Sequence, residues 1–70
     1  MKLEPYKKST YPVNPGVYRM LNEQDNIIYI GKAKNLQKRL GSYFDTSTKS
    51  TRIKIMVSEI KSIEVTVTNS

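Results

Sequence analysis

The order of apolar and polar positions predicts two strands near the start of this chain. Residues 16–21 predict the first strand, and residues 27–30 predict the second, because this run of β-branched and aromatic side chains favours an extended backbone. The polar residues 22–26 between them suit a hairpin loop, because Asn and Asp tolerate a positive φ. The apolar run at 27–30 does not alternate with polar residues, so it predicts a central strand buried on both faces.

Apolar positions three and four residues apart then predict two helices. The first begins near Asn35, a favourable N-cap residue, and the second is capped by Ser50 or Thr51. A polar loop is predicted between them. The apolar stripes are Leu36, Leu40, Tyr43 and Phe44 in the first helix, and Ile53, Met56, Val57 and Ile60 in the second.

Alternation returns at the end of the chain and completes the predicted fold. Ile63, Val65 and Val67 alternate with polar residues, which predicts a third strand with one wet face. The predicted order is β-β-α-α-β, an α+β fold with a small, three-stranded, mostly antiparallel sheet flanked by helices. Residues 1–15 contain the three prolines and predict an irregular leader, so the domain proper spans residues 16–70.

The residue types that the chain lacks narrow its chemistry. Its 70 residues allow one domain, and they include no cysteine and no histidine. This excludes disulfides, a Ser-His triad, a Cys-His pair and a histidine-based metal site. The chain has neither an apolar run of the ~20 residues that a membrane span needs nor the apolar part of a secretory signal. We therefore expect a cytoplasmic protein with no membrane partner.

The net charge of +6 favours a polyanionic partner. Between Gly31 and Gly41 there are four basic residues and no acidic residue. A basic face that only keeps a small protein in solution explains this charge equally well. Composition alone therefore leaves both interpretations open.

The junction between the second strand and the first helix predicts an anion site. Free N–H groups at the start of a helix and the helix dipole attract anions, and Lys32 and Lys34 lie on the approach. Arg39 precedes Tyr43 by four residues and shares a helix face with it. Its guanidinium can hold a phosphate with two donors. An arginine whose stem only covers Leu36 or Tyr43 fits the same position.

Two spaced tripeptides, Gly16-Val17-Tyr18 and Tyr29-Ile30-Gly31, are the most specific pattern in the chain. Lys-Ala-Lys-Asn-Leu, Lys-Arg and Ser-Tyr-Phe follow them in order between residues 32 and 44. Over residues 12–68 this pattern resembles the GIY-YIG nuclease family, and most closely the domain at the N-terminus of UvrC. Val17 stands where the family's name has isoleucine, and this variant resembles the UvrC-type domains.

The resemblance implies a site that hydrolyses one phosphodiester of DNA. Tyr18 and Tyr29 would line it, and which tyrosine helps to deprotonate the attacking water stays open. Arg39 would stabilise charge on the phosphoryl oxygens, while Lys32 and Tyr43 would support the water and the phosphate.

Four further residues would contact phosphate or DNA in this interpretation. Gly31 would let the backbone turn close beside the site. The other implied contacts are Lys34, Asn35 and Lys38.

A single Mg²⁺ or Mn²⁺ is the cofactor that the resemblance implies, bound by a glutamate on a helix after the third strand. The chain ends at Ser70 before such a helix, and neither Glu59 nor Glu64 matches that glutamate. The resemblance therefore implies no metal ligand within this chain, no tight metal binding and an inactive fragment of an active parent.

The implied parent makes the 3′ incision in nucleotide excision repair. It would act on DNA as a monomer, together with UvrB-type and UvrA-type proteins. The alternative is a non-catalytic, basic nucleic-acid-binding module, in which lysines hold phosphates and tyrosines stack on bases. A basic protein-interaction domain is the third hypothesis.

Overall fold

The computed structural model describes residues 1–45 and 50–69 of the chain. The α+β class is confirmed, and the predicted elements occur in the predicted order. A single 3₁₀ turn, Lys8–Thr10, precedes the first long strand. The strands and helices are β1 (Lys2–Leu3), β2 (Gly16–Leu21), β3 (Ile27–Ala33), α1 (Leu36–Phe44), α2 (Thr51–Ser58) and β4 (Ser62–Val67).

The sheet has four strands in the order β1-β4-β2-β3, all of them antiparallel. The prediction of three strands was therefore short by one, and the extra strand lies in the segment predicted as an irregular leader. In β1, Leu3 pairs with Ile63 and is only 5% exposed. Two residues are too few to show an alternating pattern, which is why the sequence did not reveal β1. The division of the chain at residue 16 stays a prediction.

Strand β3 lies at an edge of the sheet, so the prediction of a central strand at 27–30 was wrong. Ile27 and Ile30 are 51% and 57% exposed. The central position next to β3 belongs to β2, which pairs with β3 on one side and with β4 on the other. A local apolar run cannot show strand order, because the order depends on partners far away in sequence. Strand β3 also continues through Gly31 to Ala33, further than predicted.

The hairpin loop between β2 and β3 has the predicted chemistry. Asp25 has a φ of 62°, and the Asn22 side chain accepts hydrogen bonds from the N–H groups of Gln24 and Asn26 at 3.0 Å. Such Asx turns hold a short loop closed without further packing.

The core lies between one face of the sheet and the two helices. Tyr18 and Met20 of β2 pair with Val65 and Ile63 of β4, which places all four side chains on the same face. The stripe of α1 meets them there, and Leu36 and Leu40 are fully buried, as predicted. In α2, Val57 is buried, whereas Ile53 and Met56 are only half-buried. Val67 is 43% exposed at the end of β4, so its predicted core position was wrong.

The opposite face of the sheet carries a polar network. The Arg19 guanidinium lies 3.7 Å from the Glu64 carboxylate and donates a hydrogen bond to the Thr66 hydroxyl at 3.1 Å. Glu64 is therefore a partly exposed strand residue, as its place in the alternating pattern predicts. None of the described helices is both long and apolar enough to cross a membrane.

Candidate active site

Three tyrosines from three different elements converge where the sheet meets α1. Tyr18 comes from β2, Tyr29 from β3 and Tyr43 from α1. Their ring centroids are 6.1 Å apart for Tyr18 and Tyr29, 6.0 Å for Tyr18 and Tyr43, and 5.9 Å for Tyr29 and Tyr43. These three residues are called the tyrosine cluster below. The hydroxyls of Tyr18 and Tyr43 are hydrogen-bonded at 3.0 Å.

Gly31 makes the space in which Tyr18 lies. The two residues are directly opposite each other in the β2–β3 ladder, and their side chains would share one face of the sheet. A Cβ atom at Gly31 would overlap the ring and hydroxyl of Tyr18. The resemblance implied that the backbone turns at Gly31. It does not, because β3 continues through this residue and no glycine has a positive φ. The glycine and the first tyrosine of the two tripeptides are therefore a packing pair.

Gly16, in the first tripeptide, has a comparable role on the other side of β2. A Cβ atom there would overlap the Thr66 carbonyl of β4 and come within 2.9 Å of a Leu36 methyl group. The missing side chain lets α1 approach the sheet closely. This approach brings the next turns of α1 to the tyrosine cluster.

Arg39 extends from α1 over the tyrosine cluster and stays exposed. Its Cζ atom is 5.6 Å from the centroid of the Tyr43 ring, which is within cation–π range. Interaction with the Tyr18 hydroxyl, and then with Tyr43, raises the pKa of Arg39 above its usual value. An arginine guanidinium is always charged in a protein, and no carboxylate within the described residues pairs with that of Arg39.

Tyr43 stays protonated at neutral pH in this arrangement. Burial, followed by hydrogen bonding to Tyr18 and Tyr29, raises the pKa of Tyr43 well above its usual value. A protonated phenol can donate one hydrogen bond and accept another, but it cannot take a proton from water. Tyr43 is therefore suited to orient a ligand or its neighbours.

A shallow groove of basic residues adjoins the tyrosine cluster. Arg39 and Ser42 line this groove and also the depression formed with Tyr29, Tyr43 and Ile53, so the two surfaces adjoin. Lys32 reaches the groove from the face of β3 opposite to Gly31, and the structure does not place it among the tyrosine contacts. The side chains that line the groove, with Ala33, are Lys32, Lys34, Asn35, Lys38, Arg39 and Ser42.

The first N–H groups of α1 are not free, so the prediction of an anion held by these amides was wrong. Leu36 N–H donates to the Asn14 carbonyl at 3.0 Å, and Gln37 N–H donates to the Pro12 carbonyl at 2.9 Å. Lys38 N–H donates to the Asn35 side chain at 3.0 Å, which confirms Asn35 as the N-cap. The leader supplies two of these acceptors, which no local pattern could show. An anion at this site must rely on side chains.

The prediction from the sequence did not include two residues that line the site. Ser42 lies one turn after Arg39, and its hydroxyl donates to the Arg39 carbonyl at 2.6 Å. Helical spacing alone was enough to find it. Ile53 joins Tyr29, Arg39 and Tyr43 from α2. Its helical stripe predicts burial, but its place at this site depends on how α2 packs.

The tyrosine cluster offers phenol oxygens but no carboxylate. Mg²⁺ and Mn²⁺ prefer carboxylate oxygens and water. Within residues 1–45 and 50–69 no three acidic, histidine or cysteine side chains come together, and Glu64 is engaged with Arg19 on the other face of the sheet. The described residues do not by themselves fit a divalent cation.

A hairpin that carries both tripeptides, with a helix that adds an arginine and a third tyrosine beside them, defines a GIY-YIG domain. A family model described as the UvrC-like GIY-YIG domain matches residues 14–70. The chain therefore belongs to the UvrC-like GIY-YIG family.

Curated relatives agree with this assignment. The chain is 57% identical over 61 residues to UvrABC system protein C of Nitrosomonas eutropha, which covers 87% of this chain. It is 53% identical over 64 residues to UvrABC system protein C of Borrelia garinii, which covers 91% of this chain. In both comparisons the chain spans only 10% of the relative's length.

A solved structure shares the fold. The N-terminal GIY-YIG endonuclease domain of UvrC from Thermotoga maritima, bound to magnesium as its catalytic divalent cation, matches with a TM-score of 0.74 and 35% identity. The match covers 89% of this chain and 66% of that domain. Three further structures of the same domain carry a single tyrosine-to-phenylalanine substitution and also hold the divalent cation.

Proposed function

We propose that this chain forms the DNA-binding and cleaving site of a UvrC-type endonuclease that makes the 3′ incision in nucleotide excision repair. The observation that carries the proposal is the convergence of the tyrosine cluster with Arg39 at the edge of a basic groove. A phosphodiester in this groove meets a permanent positive charge and several hydroxyl groups at one point.

Each group of the site then has a definite task. Arg39 holds two phosphoryl oxygens and stabilises the charge that builds up on them. A well-placed donor of this kind lowers the activation free energy by ~3–4 kcal/mol. Tyr18 and Tyr29 position the attacking water, and Tyr43 holds Tyr18 through its hydroxyl. Lys32, Lys34, Asn35 and Lys38 bind the neighbouring phosphates along the groove.

When bound, a divalent cation would supply an activated water and would neutralise phosphate charge. Among the described residues no carboxylate lines the tyrosine cluster or the adjoining groove, so we assign this ligand to a segment outside the 70 residues. The 70-residue chain alone should then bind metal weakly and cleave DNA poorly. The parent would act as a monomer in the cytoplasm, with DNA and UvrA-type and UvrB-type proteins as its partners.

A plasmid-nicking assay with Mn²⁺ tests the proposal with two proteins. One is the 70-residue chain, and the other is the Nitrosomonas eutropha relative in which residues 14–70 of this chain replace the matching segment. We expect nicking by the chimera and little or none by the short chain. A folded chimera that nicks no DNA with any divalent cation contradicts the assignment, and robust cleavage by the short chain contradicts its inactivity.

One observation favours a second candidate, a non-catalytic nucleic-acid-binding module. The groove is basic, whereas the tyrosine cluster has no carboxylate within the described residues. This module would bind DNA with the same salt dependence as a nuclease, because both neutralise phosphates. The chimera separates the two candidates, since only a nuclease restores cleavage.

A further inference from the structure

We propose that Lys8, in the leader, is a DNA-phosphate contact that extends the basic groove around the exposed side of α1. The inference rests on the proposed function, because it concerns the path of the same DNA. It gives the leader a binding role in addition to its packing role.

The leader contacts α1 near both ends of the helix, which places Lys8 beside it. The Gln37 side-chain amide donates to the carbonyls of Lys8 and Tyr11, both at 3.4 Å. The rings of Tyr6 and Phe44 are in contact with their centroids 4.6 Å apart. Contacts at both ends of α1 therefore fix the segment that contains Lys8.

The Lys8 side chain lies across α1 at Gly41. A Cβ atom at Gly41 would be 2.9 Å from Lys8 Cε, 3.0 Å from Cδ and 3.4 Å from Nζ. Residues three apart on a helix are surface neighbours, so Lys38 lies next to Gly41 on the exposed side of α1. Arg39 follows on the flank that faces the tyrosine cluster. Lys8, Lys38 and Arg39 thus form a row of positive charges around the helix.

The charge of Lys8 is available to a ligand. Its neighbour Lys7 is 2.7 Å from the Glu4 carboxylate, which neutralises it locally. Lys8 forms no such ion pair with any residue that the structure describes. A phosphate chain would therefore run from Lys8 toward Lys38 and the groove.

The test is the salt dependence of DNA binding by the 70-residue chain. Fluorescence anisotropy with a labelled duplex, between about 50 and 200 mM KCl, gives the slope of log K against log [KCl]. The magnitude of this slope falls by about 0.9 for each phosphate that the protein no longer neutralises. We expect Lys8→Ala to lower the magnitude of the slope by about 0.9, and Lys8→Arg to keep it. Circular dichroism melting checks that each variant is folded.

Lys61→Ala is the matched control, because it removes the same charge at the far end of the sheet. Lys61 N–H donates to the Leu21 carbonyl at 2.7 Å, at the opposite end of β2 from the groove. We expect this variant to keep the wild-type slope.

Two other results would contradict the role of Lys8, and they differ in what they mean for the proposed function. If folded Lys8→Ala has the same slope as Lys61→Ala while Arg39→Ala weakens binding, the role of Lys8 is wrong and the proposed function stands. A wild-type chain that binds no duplex at the lowest salt overturns both.

Discussion

Arg19 and Arg39 lie on opposite sides of the sheet, and the surroundings of the two side chains differ. Arg19 lies on the open face beside Glu64 and Thr66, so its charge is already compensated. Arg39 lies over the tyrosine cluster on the helix-covered side, where aromatic rings and hydroxyls surround it and no carboxylate pairs with it among the described residues. The charge of an arginine among aromatic rings stays available to a phosphate, whereas the charge of an arginine beside a carboxylate is already compensated.

The largest expected difference between the two faces is in packing. Leu40 is fully buried against the sheet, whereas Ile30 on the open face is 57% exposed. Leu40→Ala should lower the free energy of unfolding by ~2–5 kcal/mol, since it removes buried methyl groups and leaves a cavity. Ile30→Ala, the control, should change it by less than ~0.5 kcal/mol. Urea denaturation measures both, and equal losses would mean that the helices do not cover the face assigned to them.

A smaller effect is expected from adding one methyl group at a glycine. Gly31→Ala should destabilise the chain by ~1–3 kcal/mol, because the new Cβ atom overlaps Tyr18 inside the packed cluster. Gly41→Ala meets only the flexible end of Lys8 and improves helix propensity by ~1 kcal/mol, so its stability should be unchanged or higher. Thermal melting of the two variants checks this. A Gly31→Ala chain as stable as Gly41→Ala would contradict the packing of Tyr18 against Gly31.

The smallest effect concerns alkaline pH. The pKa of Tyr43 is raised in the folded chain, mainly by burial. The unfolded chain releases this proton near pH ~10 and the folded chain retains it. The contribution of Tyr43 to stability is therefore fully present below about pH 10 and is lost as the pH rises further.

Urea denaturation at pH ~9 and ~11 tests this sign. The free energy of unfolding of the wild type should fall more steeply with pH than that of Tyr43→Phe, which has no proton to release at this position. Equal slopes for the two proteins would show that Tyr43 is not held in its neutral form.

Much of the fold was predictable because it depends on neighbours in sequence. The caps Asn35 and Ser50 satisfy N–H groups three residues ahead, and the stripe of α1 follows the helical period. The hairpin loop depends on Asn22 and Asp25, which act within five residues. Such interactions can be inferred from spacing alone.

The features that the sequence did not reveal depend on distant partners. Strand β1 forms because Leu3 pairs with Ile63 of β4, which is far away in sequence. The amides of α1 are satisfied by carbonyls from the leader, which removed the predicted helix-end anion site. The two tripeptides did predict that Tyr18 and Tyr29 share a site. Their spacing could not show that Gly31 serves to make room for Tyr18.

The central claim is that Arg39 and the tyrosine cluster handle the DNA phosphodiester, and a pair of arginine variants tests it most directly. The nicking rate of the chimera with the Nitrosomonas eutropha relative is measured with Mn²⁺ for Arg39→Ala and for Arg19→Ala. We expect Arg39→Ala to lower the rate by ~10²–10³. Arg19→Ala removes a partly exposed ion pair and a hydrogen bond on the other face, so its rate should stay within about twofold of the parent. Equal rates for the two folded variants would contradict the claim.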